Sequence, residues 1–279
     1  MKKNLLFVLA AFSMLFVACE NNLAPDDMAG KEIKFGVKSD GINMSVSTKA
    51  TAVTSVSTVY WEAKEGSTVK YAKQTCSVSG GTVTTGQYWP ATIPSGGYTY
   101  FVSNHDFASG TGVMSVNNTE DVVAGTTSGA RSNGVTVALD HIFSRTGTLT
   151  FVAKDGYTAS NVVWKIASTG SAAGTAGSYT IGTGWATSGA TALAKQEFTS
   201  SSDLYLIPGS YSVEVSFTLT KGSFTQNYVK TGSVTLVQGK VNNITADFDT
   251  VNPIDDASDI EFGVTVTPWG SEDHTPNFS

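Results

Sequence analysis

Residues 211–219 read Tyr-Ser-Val-Glu-Val-Ser-Phe-Thr-Leu. Tyr211, Val213, Val215, Phe217 and Leu219 take every second position, and Ser212, Glu214, Ser216 and Thr218 fill the gaps. A period of two puts one set of side chains on each face of an extended chain, so this stretch predicts a β-strand with one dry and one wet face. The same alternation recurs outward in both directions. Ile33, Phe35 and Val37 carry it, as do Ile42, Met44 and Val46. Shorter runs at 53–61, 69–72, 98–103, 135–139, 148–152, 162–166, 234–237 and 241–248 add to it, and Ile260, Phe262, Val264 and Val266 close the series. Turn signals separate the runs, among them Gly80-Gly81, Pro90, Pro94, Gly96-Gly97 and Gln238-Gly239-Lys240. No stretch of 12 or more residues keeps a helical period, so the reading is all-β.

Composition supports that reading. Of 279 residues, 14% are charged and 41% hydrophobic, with 28 Gly and about a quarter Ser plus Thr. Such a chain is rich in strand and turn formers and has enough apolar content to bury a core. Its 17 Lys and Arg are thinly spread against 23 Asp and Glu, which leaves no basic surface for a phosphate backbone. Nucleic acid is therefore excluded as a partner. Residues 104–134 read as a long Gly, Ser and Asn connection, a functional or variable surface excursion, and 167–192 as a low-complexity run of Gly, Ala, Ser and Thr without the apolar content of a core. The expected division is residues 31–138 as an N-terminal β-sandwich domain and 139–279 as a C-terminal one.

The N-terminus is a targeting signal. Lys2 and Lys3 precede an apolar run from Leu5 to Ala18, too short to span a bilayer of roughly 30 Å as a helix. Phe16-Val17-Ala18-Cys19 resembles a bacterial lipobox, which implies lipidation at Cys19 after removal of residues 1–18. Residues 19–30 then read as a flexible tether to the outer membrane. With Cys19 acylated, Cys76 has no partner, so no disulfide is expected and Cys76 reads as a small buried hydrophobe.

No pattern of catalytic residues emerges. His105, His141 and His274 show no metal-binding spacing. Asp140, His141 and Ser144 supply triad residue types, but neighbours on a strand face opposite ways. Asp255, Asp256 and Asp259 lack a calcium-loop spacing. No phosphate-binding glycine motif occurs, so neither cofactor nor metal nor enzymatic activity is expected. Trp61, Trp89, Trp164, Trp185 and Trp269 raise a different possibility, a sugar-stacking platform, in which Trp185 or Trp89 is exposed and the chain is a glycan-binding surface lipoprotein.

Four local patterns together resemble the fimbrillin family of the Bacteroidales, the lipoprotein-derived subunits of type V pili. Ser47-Thr48-Lys49-Ala50 follows the opening strand, Tyr88-Trp89-Pro90 precedes the aromatic run Tyr98-Thr99-Tyr100-Phe101, and Leu139-Asp140-His141 stands mid-chain. The fourth is Gly239-Lys240 with the closing strand and Trp269. The resemblance implies two tandem transthyretin-like Greek-key β-sandwiches in a surface lipoprotein that assembles with other fimbrial subunits, as a head-to-tail homo- or hetero-polymer, and supports adhesion to host or bacterial surface receptors. It further implies that a protease removes the N-terminal strand region, Ile33 to Val46, and that a strand of the next subunit fills the gap. Arg131 and Arg145 lie too late to be that cut, so Lys49 is the maturation site expected here. Ile260, Phe262, Val264 and Val266 have the alternation of a donor strand, and equally that of an ordinary last strand. A non-polymerising anchor or tip subunit is the alternative within the same family. Asp249-Thr250-Val251 resembles a short O-glycosylation motif, which would modify Thr250.

Overall fold

The structure, a computed structural model, describes residues 29–38, 56–90, 97–129, 134–248 and 260–268. Cys19, Lys49, Thr250, Trp269, His274, the 42–46 alternation and the 255–259 aspartates lie outside the described residues. Among the described residues there is no helix. In chain order the first strands are β1 (Glu32–Lys38), β2 (Thr58–Glu65), β3 (Thr68–Ser79), β4 (Thr82–Tyr88), β5 (Tyr98–Ser103), β6 (Val113–Asn117), β7 (Val123–Gly129), β8 (Thr136–Ala138) and β9 (Asp140–His141). They are followed by β10 (Ser144–Ala153), β11 (Thr158–Ser168), β12 (Ala176–Thr180), β13 (Gly184–Trp185), β14 (Gln196–Phe198) and β15 (Tyr205–Leu206). The last four are β16 (Gly209–Lys221), β17 (Phe224–Leu236), β18 (Lys240–Phe248) and β19 (Ile260–Pro268).

The N-terminal half builds one sheet in the order β8-β1-β4-β3-β2-β5-β7-β9. Its alternating apolar residues meet on the concave side, where Ile33, Phe35, Val59, Trp61, Val83, Tyr98, Tyr100, Val102 and Val137 form a buried core. The sheet curls until its ends approach each other: a Cβ at Gly125 of β7 would lie 1.8 Å from the Ala138 carbonyl oxygen, so only glycine lets β7 and β8 come this close. On the opposite side, residues 104–112 fold back over β2 and β3. The buried Glu62 carboxylate accepts hydrogen bonds from Ser109 Oγ and from the Gly110 N–H at 2.9 Å, and Lys73 Nζ donates to the Phe107 carbonyl at 2.7 Å.

The C-terminal half stacks two four-stranded sheets, β15-β10-β18-β19 and β14-β11-β16-β17, over a second core. The stretch 211–219 lies in β16, with Tyr211, Val213, Val215, Phe217 and Leu219 all buried there. Its hairpin partner β17 pairs with it along the full length, from Gly209↔Leu236 to Lys221↔Phe224.

Two sequence expectations are corrected between these halves. The 104–134 connection contains β6 and β7, and the low-complexity 167–192 stretch contains β12 and β13. Strand β12 pairs antiparallel with β6, Tyr179 opposite Met114, in a third sheet of order β13-β12-β6 that joins the halves. Met114, Val116, Phe143, Tyr179, Ile181, Tyr205 and Ile207 make a third core around this seam. The apolar content missing from each stretch is supplied by the other. Trp185 is correspondingly half-buried rather than exposed: its ring packs 5.0 Å from Phe143 and 5.4 Å from Tyr179, and its indole N–H donates to the Ile142 carbonyl at 2.8 Å. Tyr211 adds a clasp, donating its hydroxyl to the Ile207 carbonyl at 2.7 Å while accepting the Gly174 N–H at 2.9 Å.

Cys76 is buried in the N-terminal core, as read from the sequence, and burial pushes its thiol from 9.0 up to about 11. Burial likewise pushes the Tyr100, Tyr205 and Tyr211 phenols above their ordinary range. These groups stay protonated in the folded chain while the unfolded chain begins to lose the Cys76 proton near pH 9.0, so their contribution is fully present below that pH and is lost as pH rises toward 11. Urea unfolding at constant ionic strength should therefore show stability unchanged by these groups from pH 7 to 8.5 and falling from 9 to 10.5. At pH 8, Cys76 should react with a thiol reagent only after unfolding; rapid labelling of the native chain would contradict this burial.

Candidate functional site

The opening strand β1 does not lie at the edge of its sheet. It sits between β4, antiparallel, with Lys34↔Thr84 and Phe35↔Val83 as partners, and β8, parallel, with Gly36↔Thr136 and Val37↔Val137. Hydrogen bonds reach it from both sides. Val37 N–H donates to the Gly81 carbonyl at 2.7 Å, Gly36 N–H to the Val135 carbonyl at 2.8 Å, and Thr85 Oγ1 to the Ile33 carbonyl at 2.9 Å. Ile33, Phe35 and Val37 all point into the core and are at most 4% exposed. Phe35 packs against Trp61 and Tyr100 with ring centroids 5.8 and 5.7 Å away. A strand in this position plugs a groove. Without it, β4 and β8 would face each other with unpaired backbone groups, and the aromatic floor would be wet.

At the other end of the chain, β19 is placed differently. It pairs antiparallel with β18, Ile244 opposite Val264, and stands at the edge of its sheet. Phe262 and Val264 are partly buried against the C-terminal core, and Val266 is 45% exposed. Phe262 leans across onto β17, where Gly232 makes room: a Cβ at Gly232 would lie 2.2 Å from the Phe262 ring. Thus β19 is held by one strand neighbour and by two partly buried side chains, Phe262 and Val264, whereas β1 is held by two neighbours and three fully buried ones. The alternation read from the sequence is present in both, but the burial is not equal.

The remaining sequence candidates are dispersed. Trp61, Trp89 and Trp164 are buried, and Trp185 is committed to the seam, which corrects the expected exposure of Trp185 and leaves neither it nor Trp89 in place to stack on a sugar. Asp140 is exposed and His141 buried, as alternation requires, and Ser144 Oγ donates to the Leu206 carbonyl at 2.7 Å. The carboxylate that His141 meets is Asp121, at 2.9 Å from Nδ1, both side chains being almost wholly buried. Next to them, burial and then the Asp121 charge raise the Tyr205 phenol. His105 pairs with Glu120 at 2.8 Å. Among the described residues, no group of three His, Cys, Asp or Glu side chains is placed to hold a metal.

The sequence reading missed two buried polar groups, Glu62 and the Asp121–His141 pair. Glu62 announces itself only as a carboxylate beside Trp61 in a strand, which requires a covering loop. Asp121 and His141 are 20 residues apart and meet only through the β7–β9 pairing.

No protein-family model matches the chain, and no curated protein matches it in sequence. Solved structures do. A candidate cell adhesion protein from Parabacteroides distasonis ATCC 8503 aligns over 86% of this chain and 100% of its own, at TM-score 0.50 and 9% identity. A candidate cell adhesion protein from Bacteroides eggerthii DSM 20697 aligns over 86% and 97% at TM-score 0.44 and 14% identity. A fimbrial assembly protein from Parabacteroides distasonis ATCC 8503 aligns over 86% and 100% at TM-score 0.43 and 11% identity. The likeness is one of fold. At 9% identity the first of these places the all-β architecture beside a known one and carries no residue role across.

The unequal holding of β1 and β19 is measurable. Phe35→Ala should cost about 3–5 kcal/mol in urea unfolding because a fully buried ring leaves a cavity, whereas Val266→Asp should stay within about 0.5 kcal/mol of wild type. Similar losses for the two variants would contradict the burial described.

Proposed function

We propose that this chain is a structural subunit of a cell-surface fimbria, exported as a lipoprotein through Cys19 and assembled head to tail by strand exchange, in support of adhesion. The observation that carries the reading is the seat of β1. One short strand, linked onward only through residues 39–57, closes a groove lined by β4 and β8 and floored by Trp61 and Tyr100. A cut after Lys49 would leave that strand without a covalent hold while the groove stays framed by the rest of the sheet. An extended segment from another molecule could then restore the same hydrogen bonds and the same apolar contacts. Because donor and groove are different surfaces, such contacts propagate as a filament instead of closing a ring.

The names of the structural neighbours, cell adhesion and fimbrial assembly, agree with a surface role. Residues 31–138 and 139–279 act in this reading as two β domains made rigid by the β6–β12 seam, which suits a load-bearing unit. Lysine at the cut implies a protease that accepts lysine. Lipid at Cys19 would hold the uncut chain to the outer membrane, and modification of Thr250 would lie in the linker ahead of β19. Trp89 is buried and Trp185 is held in the seam, so adhesion is assigned in this reading to the assembled fibre and not to a platform built on those two tryptophans.

The reading is tested by opening the folded chain at residue 49 with an engineered protease site and following its size. The expected result is an SDS-resistant ladder that grows over hours, with the 19–49 fragment released. A cut chain that keeps its fragment and stays monomeric on prolonged incubation would overturn it.

A further inference from the structure

The two strands just contrasted share a pentapeptide. Strand β1 contains Ile33-Lys34-Phe35-Gly36-Val37, and β19 contains Ile260-Glu261-Phe262-Gly263-Val264: four of five residues are the same, in the same order. The difference, Lys34 against Glu261, falls between the core-facing positions of β1. A duplicated domain does not account for the match, because β19 is not the counterpart of β1. Strand β10 is: it opens the C-terminal half and pairs parallel with the late strand β18, just as β1 opens the first half and pairs parallel with β8. Strand β19 instead adds antiparallel to β18 at an edge.

The glycine is the most telling member. At Gly36 the backbone lies against β8, where a Cβ would come 2.9 Å from Thr136 Oγ1, so the absent side chain has a reason. At Gly263 nothing lies within 4 Å of the position a Cβ would take. Glycine inside a strand weakens it, and in its own sandwich β19 gains nothing from having one. The residue makes sense in the other seat. Phe262 is similarly better matched there: in β19 it is half-buried on Gly232, whereas Phe35 is enclosed between Trp61 and Tyr100.

We infer that the shared pentapeptide fixes the register of the exchange, so that β19 enters the β1 seat of a second copy with Ile260, Phe262, Gly263 and Val264 in the places of Ile33, Phe35, Gly36 and Val37. The inference rests on the strand-exchange reading and goes further: the partner is the same polypeptide, so the fibre is a homopolymer, and the register is fixed. Glu261 takes the place of Lys34 opposite Thr84, Phe262 lies opposite Val83, and Gly263 passes between Thr82 and Thr136. A strand shifted by one residue would turn Phe262 and Val264 outward. A strand shifted by two would keep alternation but drive Thr265 or Glu261 against Thr136, so the glycine selects among registers of the same face.

The test uses the exported chain carrying Cys19→Ser and Cys76→Ala, folded and then opened at an engineered site replacing residues 48–50. In this background Glu261→Cys with Thr84→Cys should give intermolecular disulfides through the ladder on mild oxidation, at least tenfold more than the slipped pair Glu261→Cys with Thr82→Cys. Separately, Gly263→Val should leave the uncut chain as stable to urea as wild type but slow assembly of the opened chain at least tenfold, while Thr265→Val should assemble normally. If the opened wild type forms a ladder but the slipped pair cross-links as well as the expected one, or Gly263→Val assembles at the wild-type rate, strand exchange stands and the register is wrong. If the opened wild type forms no ladder, both fall together.

Discussion

Phe35 is packed between Trp61 and Tyr100 on a strand seated between two strands that lie far from it in sequence. Neither neighbour of β1 is adjacent to it in sequence: β4 begins more than 40 residues later and β8 about 100. The N-terminal core is therefore closed last in a topological sense, by a segment whose three buried side chains are supplied together or not at all. The strands from β4 through β3, β2, β5 and β7 to β9 pair in an unbroken series, and β8 is hydrogen-bonded to that series through β1. A fold of this kind is stable while the strand is present and incomplete without it, which is the condition any strand-exchange assembly needs.

The C-terminal half meets the complementary condition. Its core is filled chiefly by β10, β11, β16, β17 and β18, and β19 is an addition at the edge, held by β18, by the ring of Phe262 on Gly232 and by the half-buried Val264. Removing β19 leaves the sandwich with a new edge rather than with an empty centre. The seam of β6 and β12, with Trp185 pinned to Ile142 and Tyr211 clasping Gly174 to Ile207, joins the half that holds β1 to the half that holds β19.

Much of this was legible because a strand with one buried face writes its own period. The alternations at 33–37, 211–219 and 260–266 need no partner to be read, and the structure has strands at each. The seam was not legible, for the opposite reason. Strands β6 and β12 each bring only a few apolar residues, Met114 and Val116 on one and Tyr179 on the other, and they acquire a core only by long-range pairing, Tyr179 opposite Met114. Trp185 looked exposed because its neighbours in sequence are glycine, alanine and threonine, while its neighbours in space are Phe143 and Tyr179. The Asp121–His141 pair was hidden in the same way. Position within the sheet was also beyond reach: alternation shows that β1 and β19 are strands, but not that one is central and the other marginal. Cys19, Lys49 and Thr250 were legible as motifs alone.

The central claim is that β19 is a marginal strand in the single chain and becomes a central one in the fibre. Amide hydrogen exchange at residues 261–266 measures this directly, with the amides of β16 as an internal reference for the stable core. In the uncut monomer these amides should exchange much faster than those of β16; in assembled fibres their exchange should slow roughly 100-fold or more, toward the core set, as local opening gives way to whole-domain opening. Equal exchange of residues 261–266 in monomer and fibre would contradict it.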